Sequence, residues 1–146
     1  MNRHHNRYST YTAAAILILS LLIYACGPES SRIELGNSAI IWQGHVYENP
    51  ELYQKFMDTM QCLDGMGIRR EGGPYVVMTE NYLIVDGIIA QGCSTGSTVY
   101  FSAMEEKQNK TVSVFKHEIV HWATYNAPGL HGTQYFDCAA ITENGT

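Results

Sequence analysis

His117 and His121 stand four residues apart in a stretch whose apolar residues keep helical spacing, and this stretch constrains the fold more than any other. Over residues 111–126, Val112, Phe115, Ile119, Trp122 and Ala123 share one face at about 100° per residue, and Pro128-Gly129 stops the run. Such a helix has to bury that face against a second layer of structure. The two histidines point roughly the other way, towards a cleft. Side chains at i and i+4 lie one above the other on a helix, so both imidazoles can reach a single ion. Glu118 lies about 100° around from His117, where it can address a water on that ion and is poorly placed to be an in-line ligand. Zinc-assisted hydrolysis needs this arrangement: histidines hold the metal, the metal lowers the pKa of its water, and a glutamate takes the proton.

Catalytic zinc takes three protein ligands and leaves a position for water. Of the four histidines beyond residue 25, His117, His121 and His131 fall within 15 residues. His131 follows a Pro-Gly break that lets the chain turn back, and it is the expected third ligand, with Asp137 and Glu143 as rivals. His45, far upstream, is expected to be structural or exposed.

At these residues the chain resembles a zincin-type (HExxH) metallopeptidase. The likeness covers mainly residues 115–138. It departs from the metzincin pattern, which wants Gly at Thr124 and His at Ala127, and it lacks the ligands of the gluzincin and aspzincin patterns. It is closer to small predicted bacterial lipoproteins that carry HExxH, a His about ten residues later, an aromatic pair and a Cys. Here those are His131, Tyr135-Phe136 and Cys138, with Cys62 matching a cysteine near the end of an upstream helix. The resemblance implies a metallohydrolase and names no substrate. It also implies that the strand before the motif helix, around residues 98–103, lines the cleft and pairs with an extended peptide. Tyr135 is expected to be a packing residue.

The amino terminus carries a different signal. Residues 1–12 are polar, with Arg3 and Arg7 and no acid, and residues 13–24 (AAAILILSLLIY) form a 12-residue apolar run. A membrane-spanning helix needs roughly 20 apolar residues, so this run is a secretory leader rather than a span. Ile23-Tyr24-Ala25-Cys26 resembles a bacterial lipobox, which implies cleavage before Cys26, lipidation of that cysteine, and a protein tethered to a membrane on its periplasmic or extracellular side. The expected organisation is a signal peptide over 1–25, a lipidated cysteine and flexible tether over 26–39, and a hydrolase domain over 40–146.

Within the domain, Asn49-Pro50 opens a helix whose Leu52, Phe56, Met60 and Leu63 form an apolar stripe ended by Gly65 and Gly67. Residues 75–79 (YVVMT) suit a strand, and 82–85 and 88–90 flank Asp86-Gly87, a hairpin signal. Residues 98–103 read as another strand and 105–110 as a polar loop. The expected class is α+β, a small, largely antiparallel sheet packed on two helices, the second carrying HExxH. Beyond Cys26, Cys62, Cys93 and Cys138 allow three single pairings. Cys62–Cys138 is favoured because it ties the first helix to the segment after His131, leaving Cys93 free or as the true partner of one of them.

Composition narrows the function. The chain carries 9 basic and 14 acidic residues, a net charge of −5, and removing Arg3 and Arg7 with the leader takes it to −7. No basic cluster or glycine-rich phosphate loop is present, so nucleic acid is not an expected partner. The doublet Arg69-Arg70 reads as a solvated turn. The expectation is a membrane-anchored zinc peptidase with Zn²⁺ on His117, His121 and His131, Glu118 as general base, and a peptide or protein substrate. The alternative is a lipoprotein binding module with a closed structural zinc site, Asp137 or Cys138 supplying a fourth ligand.

Overall fold

The computed structural model describes residues 32–141. Cys26, the leader, most of the tether and Glu143 lie outside them. Asn49 accepts a hydrogen bond from the Leu52 N–H (3.1 Å) and so caps a helix that starts at Pro50, where the missing proline N–H costs nothing. This helix, α1 (Pro50–Gly65), buries Leu52, Phe56 and Leu63 of the stripe expected from spacing, with Thr59 beside them, and leaves Met60 half-buried against the same core. Among the described residues no helix is long and apolar enough to cross a membrane.

The architecture is α+β, as expected, with two sheets instead of one. A four-stranded sheet has the order β2 (Ile40–His45), β3 (Tyr75–Thr79), β7 (Thr98–Ser102), β6 (Gly92–Thr95). Its central pair, β3 and β7, is parallel, with Val76 opposite Val99, and the outer pairings are antiparallel. Parallel neighbours need a long crossover. Here the crossover contains β4 (Leu83–Val85), β5 (Ile88–Ala90) and β6, and β4 and β5 form a smaller antiparallel sheet with β1 (Ile33–Glu34), which precedes β2. The β4–β5 turn is Asp86-Gly87, both at positive φ (52° and 80°), the twist a two-residue hairpin favours. β1 falls within the segment whose composition suggests a tether, already paired to β4.

Two further helices follow. α2 (Ala103–Gln108) occupies much of the stretch expected as a loop, with Ser102 capping it through the Glu105 N–H. α3 (Val114–Ala123) is the motif helix. It is shorter than the 111–126 expected, because Ser113 accepts from the Lys116 N–H and starts it late. At its far end Tyr125 and Asn126 take positive φ (56° and 53°) and unwind it. One apolar layer then joins three surfaces: Leu52, Phe56 and Leu63 of α1, Phe115, Ile119 and Trp122 of α3, and Val76, Val99 and Phe101 of the sheet. A second, smaller core of Leu83, Val85, Ala90 and Cys93 lies under the small sheet.

Candidate metal centre

α3 is held at both ends. At its start, Glu106 of α2 accepts from the Phe115 N–H (3.0 Å) and the Ser113 hydroxyl (2.6 Å), while Lys55 of α1 pairs with the same carboxylate at 2.9 Å. A carboxylate on the exposed N–H groups of a helix start is favourable both as hydrogen bond and as charge. At its end, Arg70 donates to the Trp122 carbonyl and to the Gly96 carbonyl (3.2 Å), with its guanidinium 4.1 Å from the Trp122 ring and 4.3 Å from the Tyr125 ring. Arg70 is therefore a C-terminal cap wedged between aromatic rings, not the solvated turn residue expected. Arg69 fits that expectation better, being exposed and paired with Asp64.

Helix geometry then brings the histidines together. The His117 and His121 rings are 5.0 Å apart, and the chain beyond Pro128-Gly129 returns His131 to within 5.4 Å of the first and 4.7 Å of the second. The Nε2 atoms of His121 and His131 are 2.8 Å apart. One ligand atom from each of the three lies within 4.8 Å of the others, close enough to hold one metal ion. Among the described residues this is the one such group. Asp137 is exposed and outside it. His45 is also outside it, exposed and edge-on to the Tyr75 ring.

The electrostatics suit a cation. Burial holds His117 well below its ordinary value, at about 4, and His121 lower, at about 3, and neighbouring imidazoles push the same way. Burial also lowers His131. All three are neutral at pH 7, with lone pairs available to a metal. Glu118 is 5% exposed, and burial alone pushes its carboxyl up to about 8. Its Oε2 has no hydrogen-bond partner among the described residues. This orphaned buried oxygen belongs to the residue next to His117 on α3, and it fits a site able to hold a cation.

Glu118 reaches its position only because Gly92 lacks a side chain. A Cβ there would lie 2.7 Å from the Glu118 Cγ and 2.8 Å from Oε1. Gly92 opens β6, the edge strand, so the strand bordering the motif glutamate is β6. The strand expected to pair with a peptide, β7, cannot do so, since β3 and β6 occupy both its sides. Gly-Cys-Ser-Thr has little strand propensity, which hid β6 from a pattern search.

The favoured disulfide is present. Cys62 at the end of α1 is bonded to Cys138, with Cα atoms 5.7 Å apart across a separation of 76 residues. Cys138 therefore has no thiolate to offer a metal. Cys93 is buried and disulfide-bonded, which corrects the expectation of a free thiol. Phe136, in the 3-10 turn Gln134–Ala139 that carries Cys138, packs against all three histidine rings, a contact the bare spacing did not suggest. Comparison of the chain with protein-family models, curated proteins and solved structures finds no match.

Proposed function

We propose that this chain is a zinc-dependent metallopeptidase, exported to a compartment in which its disulfides form. The observation that carries the hydrolytic reading is the convergence of His117, His121 and His131 within 4.8 Å, with Glu118 the next residue after the first of them on the same helix. Three neutral nitrogen donors are a usual protein ligand set for catalytic zinc, and they leave a coordination position for water. Zinc held there supplies Lewis acidity, lowering the pKa of a bound water and polarising a carbonyl.

The remaining chemistry belongs to the chain. Glu118 is the base: burial makes its carboxyl a stronger proton acceptor than an ordinary glutamate, and a nearby cation favours its ionised form at neutral pH. Among the described residues no partner of Oε2 competes for that proton. The β6 edge, with Gly92 against Glu118, offers backbone N–H and C=O groups to an extended peptide, which gives affinity with little demand on side chains.

The test is Glu118→Gln measured for zinc content and for hydrolysis of an unstructured protein such as casein. The proposal expects about one zinc per chain in both proteins and loss of nearly all hydrolysis in the variant. Undiminished hydrolysis in Glu118→Gln overturns the mechanism.

A further inference from the structure

Phe136 lies 4.5 Å from the His117 ring and 5.1 Å from both the His121 and the His131 rings, measured between centroids. No other described side chain is in ring contact with all three. The same ring packs against the main hydrophobic core. Its backbone is fixed from two directions. Cys138, two residues on, is bonded to Cys62 of α1, and Ala140 bridges to Val112 just before α3.

We propose that Phe136 is the floor of the metal site, a positioning residue that sets the spacing of the three imidazoles and closes their core side to water. This rests on the reading of His117, His121 and His131 as metal ligands. A phenyl ring has no lone pair to donate, so it occupies space beside an ion without binding it. Its rigidity also restricts the imidazole χ angles, as groups behind metal ligands commonly do. His117 and His121 are fixed by one helix, but His131 sits on a loop, and Phe136 is the shared contact that ties the loop ligand to the helical pair.

The experiment uses the oxidised chain stripped of metal, as wild type, Phe136→Ala and Phe136→Leu. Each is titrated with Zn²⁺ against a chromophoric chelator and with Co²⁺ by visible absorption, after its metal-free melting curve has been recorded. Phe136→Ala is expected to weaken Zn²⁺ binding by roughly 10- to 100-fold. It should also weaken the visible Co²⁺ bands, because water reaching the core side raises the coordination number above four. Phe136→Leu keeps apolar bulk without the flat ring and should fall between the two. A folded Phe136→Ala with wild-type affinity and wild-type Co²⁺ bands overturns the proposal while leaving the ligand set standing. If Phe136→Ala does not fold, unchanged affinity and bands in Phe136→Leu overturn it equally. A wild-type chain that takes up neither ion overturns the ligand set itself and this inference with it, a result distinct from the other two.

Discussion

Replacing Glu118 by glutamine should stabilise the metal-free protein, and by an amount that depends on pH. Glu118 is 5% exposed, and burial raises its carboxyl from the ordinary 4.5 to about 8. Between those values the folded carboxyl keeps a proton that the unfolded one has released, so stability falls as pH rises from 4.5 to 8. Each pKa unit corresponds to about 1.4 kcal/mol, so the loss at pH 7 is about 3 kcal/mol and above pH 8 about 5 kcal/mol. Glutamine fills nearly the same volume and carries no charge. For a domain near 110 residues, 1 kcal/mol shifts Tm by roughly 4 °C, so the variant should melt roughly 12 °C above wild type at pH 7. The difference should shrink to about 1 kcal/mol at pH 5. His117 and His121, held at about 4 and about 3, titrate in both proteins and cancel from the comparison. In each protein alone they cause stability to be lost as pH falls below about 6.5. The assay is thermal unfolding at pH 5, 7 and 9 in the presence of a chelator. A variant less stable than wild type at pH 7, or a difference that does not change with pH, refutes the assignment of Glu118 as a buried, unpartnered carboxyl.

Other consequences are checked by similar means. Gly92→Ala places a methyl within 2.7 Å of the Glu118 side chain; it should cost about 1–3 kcal/mol in Tm measurements and lower kcat while zinc is retained. Removing the Cys62–Cys138 bond by double serine substitution frees a loop of 76 residues and should cost about 4 kcal/mol in denaturant unfolding. Glu106→Ala strips the Phe115 N–H and Ser113 hydroxyl of their acceptor and should cost about 2 kcal/mol.

Much of this was legible from local signals. α1 announced itself by Asn49-Pro50 and the stripe Leu52, Phe56, Leu63, and Asp86-Gly87 marked a hairpin that formed as read. The histidines were legible because helix periodicity alone brings His117 over His121. What spacing could not supply was long-range pairing. The parallel contact of β3 with β7 depends on a crossover, and β6 is a strand through its hydrogen bonds to β7 more than through its own residues. The same holds around the site. Glu106, Arg70 and Phe136 lie 15, 51 and 15 residues from His121, and each acts through a contact that only the folded chain creates. A turn arginine and a loop phenylalanine look ordinary until Trp122 and three imidazoles are placed against them.

The most direct test of the central claim is X-ray absorption at the zinc edge of the purified chain reconstituted with one equivalent of Zn²⁺. A site of His117, His121 and His131 open to solvent predicts three imidazole nitrogens and one further oxygen at about 2.0–2.1 Å. A first shell of four protein ligands, or a chain that retains no zinc, contradicts it.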